Sequence, residues 1–249
     1  MPLIITLSAI VLFATAIHAA TGFGGTLLVV TLAALFYPLE GIIALIIPLN
    51  VLLNVYIILR YRQFANKKIL VRSMIPYTFI GLLVGYSIYL YINKVLLGTL
   101  FASFIIILSC YELAVHFRLI KKGVSLSLFQ QISILLGGGF LQGLFVSGGP
   151  LVVYYARKTI ASKSVFRSTL AVLWIILNST LLMLHLYKGS INSETLLFSA
   201  TLMPALIAGT IIGEKVHHNI SDSMFNFLIY LLIFLGGISL LLKNTSVDI

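Results

Sequence analysis

Long apolar runs separated by short polar stretches make up almost the whole chain. Runs near 39–59, 70–92, 95–115, 165–187, 195–213 and 223–242 each suit a membrane-crossing helix, which takes roughly 20 residues. Two further apolar segments are anomalous: Pro2 to Phe36, and about Leu126 to Ala156. A helix over the whole first segment would measure about 52 Å, against a hydrocarbon core of about 30 Å. Glycines interrupt both. The first holds Gly22-Phe23-Gly24-Gly25, and the second Gly137-Gly138-Gly139 and then Gly148-Gly149-Pro150. Glycine and proline disfavour a continuous helix, so both segments are predicted to be broken or re-entrant.

The pattern also repeats. Gly24-Gly25-Thr26-Leu27-Leu28-Val29-Val30 aligns with Gly148-Gly149-Pro150-Leu151-Val152-Val153-Tyr154, at an offset of 124 residues. Asn54 aligns with Asn178, and His18 with Gln142, at the same offset. One span later, Pro76, Gly81 and Gly85 recur as Pro204, Gly209 and Gly213 at an offset of 128. A duplicated half is the expected origin. The predicted fold is an all-α integral membrane protein forming one membrane domain over 1–249. Repeat one covers about 1–122 and repeat two about 123–249. Each opens with a broken segment, followed by three transmembrane helices.

Composition strengthens the membrane reading. Hydrophobic residues make up 60% of the 249 and charged residues only 9%, whereas soluble domains carry about 25% charged residues. The apolar N-terminal stretch lacks the basic n-region of a signal peptide, so it is expected to stay in the mature protein. Cys110 is the only cysteine, which excludes an intramolecular disulfide and a cysteine metal cluster. No cofactor or metal site is expected.

Charge then gives orientation. Twelve of the 16 Lys and Arg residues lie in three stretches, 60–72, 116–122 and 157–167. The positive-inside rule places these in the cytoplasm and both termini outside. The net charge of +10 is therefore topological, and nucleic acid is not an expected partner. The stretch 126–156 has basic flanks at both ends, so it should enter and leave on one side, as a hairpin does. Loops that correspond in the two halves differ in charge: basic 60–72 matches 184–194, which holds only Lys188 and Glu194. The halves are thus expected to be inverted, as in many secondary transporters with midplane sites at discontinuous helices.

The candidate site follows from the breaks. A helix restarting after each glycine pair offers free amides and a positive dipole end. Gly24, Gly25 and Thr26 in one half, with Gly148, Gly149 and Ser147 in the other, would together hold a small oxyanion. Thr21, Thr26 and Ser147 are candidate hydroxyl donors, and Asn54 and Asn178 candidate amide donors. Gln142 and His18 are candidates to line the path. Pro76, Gly81, Gly85 and their repeat mates read as packing or kink residues. Tyr and Trp near span ends read as interface anchors. No Asp or Glu lies deep in a span. Proton coupling would then run through the anion's own protonation, or there is none.

These motifs resemble the sulfite exporter TauE/SafE family. The resemblance rests on Gly22-Phe23-Gly24-Gly25 with the following Leu-Leu-Val-Val, on Gly143-Leu-Phe-Val-Ser-Gly-Gly-Pro150, and on the Pro-x4-Gly-x3-Gly spans. It covers essentially the whole chain. It implies a transporter of small sulfur-containing or carboxylate anions in a prokaryotic cytoplasmic membrane. In the first motif Thr26 departs from the commoner small residue or glycine, which leaves the particular anion open. Two other readings compete. An intramembrane hydrolase would need Ser147 and His185 within hydrogen-bond reach. A non-transporting assembly factor would need no polar cavity between the halves.

Overall fold

The computed structural model describes residues 2–21, 24–119, 126–216 and 222–245. All regular structure among them is helical. Helices α1 (Pro2–Thr21) and α2 (Gly25–Ala34) precede α3 (Leu39–Tyr61). Next, α4 (Lys67–Ile69) runs through a π-helical turn at Leu70–Met74 into α5 (Ile75–Tyr91), and α6 (Lys94–His116) follows. The second half holds α7 (Leu128–Phe145), α8 (Gly149–Thr159), α9 (Lys163–Lys188), α10 (Ser193–Thr201), α11 (Met203–Val216) and α12 (Asp222–Thr245).

Six helical stretches are long and apolar enough to cross a membrane: Leu3–Ala20, Leu39–Leu59, Lys67–Tyr91, Lys94–His116, Leu128–Phe145 and Ser164–Lys188. The bent pair α10 and α11 makes a seventh. The chain is a multi-pass helical membrane protein. Large apolar side chains such as Ile80, Val84, Ile107, Ile211 and Leu235 face outward, as a lipid-facing surface requires. Polar caps close several helices. The Asn93 and Asn192 side chains accept from the Leu96 and Thr195 amides, and Ser127 forms a capping box with Gln130.

Both over-long segments are broken as expected, each into a long arm and a short one. The arms α1 and α2 have 20 and 10 residues, and α7 and α8 have 18 and 11. The glycines that break the second segment are not all those expected. Helix α7 runs unbroken through Gly137-Gly138-Gly139. A methyl group added at Gly139 would strike the Thr78 carbonyl, and one at Gly138 would strike Val152. These glycines bring α7 close to α5 and α8 without stopping the helix. The break comes later, at Val146, whose φ of 55° is left-handed.

The predicted span 195–213 is also not one rod. It bends by 43° between α10 and α11. Pro204 lies one residue into α11 and has no N–H for the preceding turn. Pro76, its counterpart, instead follows the π-helical turn and leaves the rod unbroken.

Two helix pairs pack backbone to backbone. Methyl groups at Gly81 and Gly85 would strike the Leu136 and Phe140 carbonyls, which locks α5 to α7. Gly209 and Gly213 stand in the same relation to the Leu12 and Ala16 carbonyls, which locks α11 to α1. Helices α6 and α12 also pack together, as do α3 and α9.

Polar contacts tie the helices together at both ends of the bundle. At the end holding the basic stretches, the Asn66 amide donates to Thr169 Oγ1. There too Glu214 accepts from the Tyr56 hydroxyl and pairs with Arg167. At the other end Lys243 reaches the Ala34 and Leu35 carbonyls, and the Tyr86 hydroxyl donates to Leu184.

Candidate functional site

The short arms α2 and α8 both begin at one cavity inside the bundle. Gly24 and Thr26 line it from the first half, and Gly149 and Pro150 from the second. The cavity is open at a mouth, and the space between its lining atoms, counted out through that mouth, totals about 390 Å³. In α2 the first intrahelical bond runs from the Leu28 amide to the Gly24 carbonyl. The amides of Gly25, Thr26 and Leu27 therefore precede the helical ladder. In α8 the Val152 amide bonds the Gly148 carbonyl, and Pro150 has no N–H. The amides of Gly149 and Leu151 stand ahead of that ladder. Two helix starts meet where a bilayer protein has little water to screen them.

Of the residues singled out from the sequence, His18, Gly24, Thr26, Asn54, Gln142, Ser147, Gly149 and Asn178 all line this cavity. Gly25 and Gly148 do not, because they are packing residues. A methyl group at Gly25 would collide with the Ala14 carbonyl and the His18 side chain. One at Gly148 would collide with the Gly138 carbonyl and Gln142. Since Ala14 and His18 precede Gly138 and Gln142 by 124 residues, Gly25 packs as Gly148 does. The packing register at the break is one residue off the sequence register. The residues with open space beside them are Gly24, at φ +85°, and Gly149. Thr21 ends α1, and its side chain lies outside the described residues, as do Gly22 and Phe23.

Hydrogen bonds set which polar atoms reach the cavity. The Gly148 amide donates to Gln142 Oε1 at 3.0 Å. That bond orients the Gln142 amide, whose Nε2 donates to Asn178 Oδ1 at 2.9 Å. The Asn178 carbonyl is thus engaged, and its NH2 group is the end left to donate. The first half differs. Asn54 Nδ2 donates to the Asn50 main-chain carbonyl at 2.7 Å, and Asn54 Oδ1 has no partner. His18 Nδ1 and Asn50 Nδ2 are also buried without a partner.

The hydroxyls depart from expectation. Thr26 donates to Asn50 Oδ1 at 3.1 Å, and Ser147 donates to the Phe145 carbonyl at 3.0 Å. Both hydroxyls are hydrogen-bonded inside the protein. Ser147 is not bonded to His185, which instead packs against the Tyr86 and Tyr89 rings.

Leu27, Val146 and Trp174 also line the cavity and were not anticipated. Trp174 had a usable signal: it lies in the middle of α9, not at the end where interface anchors sit. Asn50, which receives Thr26, lies one helical turn before Asn54, a polar pair inside an apolar span. Val146 had no such signal. It is β-branched with positive φ, a conformation costing about 1–3 kcal/mol that the surrounding fold must hold.

No lysine or arginine lines the cavity. Its polarity comes from helix starts, amide groups and one imidazole. No group of three or more His, Cys, Asp or Glu able to hold a metal occurs among the described residues. A family model described as "Sulfite exporter TauE/SafE" matches residues 7–240. No curated protein and no solved structure matches the chain.

Proposed function

The chain belongs to the sulfite exporter TauE/SafE family, and from that premise we propose that its central cavity binds and passes a small sulfur-containing or carboxylate anion. The observation that carries this reading is the convergence of the α2 and α8 starts on one cavity. Each helix start carries roughly half a positive charge, so the two together complement about one negative charge without a buried arginine. Asn178 adds a side-chain donor. The helix starts are fixed in place, so an entering anion meets donors already oriented toward it.

The two halves are read as inverted repeats. The glycine locks support the repeat, because they relate counterpart positions, Gly81 with Leu136 and Gly209 with Leu12, and the opposite charge of corresponding loops supports the inversion. The long arms α1 and α7 then enter from opposite sides and meet at the cavity. The protein spans the cell membrane with its basic stretches in the cytoplasm and both termini outside. An assembly factor would have no use for such a cavity, which favours transport.

The test is flux of labelled sulfite and related anions through proteoliposomes, comparing the wild-type protein with Gly149→Val. Apart from its neighbours in the chain, a Cβ at Gly149 meets nothing within 4 Å, so the packing of other helices leaves room for a side chain beside the cavity; because Pro150 follows, a melt of the variant is run alongside to verify that it is folded. Saturable wild-type flux that the substitution abolishes supports the reading. Unchanged flux in the variant refutes it.

A further inference from the structure

The two asparagines that line the cavity are counterparts in the repeat, yet they offer opposite chemistry. Asn178 is held with its carbonyl turned away, because Gln142 Nε2 donates to that oxygen. Gln142 cannot turn over, because its own oxygen accepts from the Gly148 amide. Asn54 is held the other way. Its nitrogen donates to the Asn50 carbonyl, and the reverse orientation would set two oxygens against each other. Asn54 Oδ1 is left buried, without a partner, in a residue that is only 1% exposed and lines the cavity.

A buried carbonyl oxygen without a donor is costly. The two hydroxyls of the lining are bonded elsewhere, Thr26 to Asn50 and Ser147 to the Phe145 carbonyl, and the buried His18 Nδ1 and Asn50 Nδ2 bond nothing. A bound cation is a poor fit, since hard cations take about six oxygen ligands and two helix starts repel positive charge here. An anion that carries its own hydrogen-bond donor fits both walls. Its charged oxygens take the helix amides and Asn178, and its O–H or N–H goes to Asn54.

We propose, building on the anion-site reading above, that the cavity selects singly charged anions bearing a hydrogen-bond donor, with Asn54 as the residue that recognises the donor. A protonated oxyanion belongs to this class, as does a hydroxy- or amino-substituted sulfonate or carboxylate. A fully deprotonated dianion does not: it brings one charge too many and no donor.

Trp174 makes the test direct, because it is the only tryptophan in the chain and it lines the cavity. Purified full-length protein in detergent is titrated with two anions while tryptophan fluorescence is followed. One is hydrogen sulfite, at a mildly acidic pH where sulfite keeps one proton. The other is methanesulfinate, also a monoanion, with methyl in place of hydroxyl. The wild type is expected to bind hydrogen sulfite at least about tenfold more tightly. Asn54→Leu is expected to bring the ratio to within about threefold. Equal wild-type affinities would overturn donor selection while leaving an anion site intact. A wild-type preference that persists in Asn54→Leu would overturn the assignment to Asn54. If neither anion perturbs Trp174 in the wild type, the anion-site reading fails as well. The wild-type comparison decides even if Asn54→Leu does not fold.

Discussion

Gln142 Nε2 lies 2.9 Å from Asn178 Oδ1, so the long arm of the second broken segment sets the orientation of an amide on the neighbouring span. The Gly148 amide holds the other end of Gln142. One side chain therefore ties together the helix start, the long arm and the cavity wall. Gln142→Leu leaves the Gly148 amide and the Asn178 oxygen buried without Gln142, at about 1–3 kcal/mol each. A lower melting temperature and loss of flux are expected together. Gln142→Glu separates the two effects. A carboxylate still accepts from Gly148, and Asn178 turns to donate to it, so most stability is retained. The cavity then holds a negative charge in place of its side-chain donor. Thermal melts in detergent should stay close to wild type while anion binding is lost.

The glycines at the breaks divide into two kinds. A side chain at Gly148 has no room, whereas one at Gly149 projects into open space. Gly148→Ala is expected to destabilise by about 1–3 kcal/mol, as overpacking does. Gly149→Ala meets only the following Pro150, so it should melt closer to the wild type than Gly148→Ala does and bind anion more weakly. In the first half Gly25→Ala should behave as Gly148→Ala does, because it faces the Ala14 carbonyl and His18. The pairing would be refuted if Gly149→Ala lowered the melting temperature as much as Gly148→Ala.

Much of this arrangement was legible in the chain. The long apolar runs announced the spans, because a bilayer admits few alternatives to helices of that length. His18, Asn54, Gln142 and Asn178 stood out because polar side chains in apolar runs need a reason to be there. The directions of their hydrogen bonds were not legible. Asn54 and Asn178 look identical in sequence and differ only through their neighbours Asn50 and Gln142. The role of Gly137–Gly139 was misread for a similar reason. Glycine marks either a helix break or a close approach between helices, and only the presence of Thr78 across the interface tells which. The local bend near Pro204 and the π-helical turn before Pro76 come from one residue type in two settings, which composition does not distinguish.

Glu214 joins three helices at the end holding the basic stretches. It accepts from Tyr56 on α3 at 3.1 Å and lies 3.5 Å from Arg167 on α9, while itself belonging to α11. The ion-pair side chains are only 15% and 18% exposed, so water screens them incompletely. Removing one member of such a pair is expected to cost about 3 kcal/mol, and replacing both with apolar residues much less. A double-mutant cycle with Glu214→Met and Arg167→Met, read by detergent melts, should therefore show the double variant more stable than either single one. Additive losses would mean that the pair is not coupled.

Inversion of the halves makes the sharpest topological prediction. Under the repeat, the turn after α3 corresponds to the turn after α9, so the two must open on opposite sides of the membrane. Gln63 and Ser190 are exposed positions in these turns. Cys110 is the single native cysteine and is exposed, so it is first replaced by alanine to clear the background. Cysteines placed singly at 63 and 190 are then treated in intact cells with a membrane-impermeant maleimide. The Ser190→Cys variant is expected to react in intact cells and the Gln63→Cys variant only after lysis. This follows from the positive-inside rule, since residues 60–72 carry five basic residues and the turn at Gly189–Asn192 none. Equal labelling of both in intact cells would place the two turns on one face and end the inverted-repeat reading. The reverse pattern would keep the inversion and overturn only the orientation. The glycine locks between α1 and α11 and between α5 and α7 do not depend on which face is cytoplasmic, so the cavity at the meeting of α2 and α8 is compatible with either outcome of the reversal.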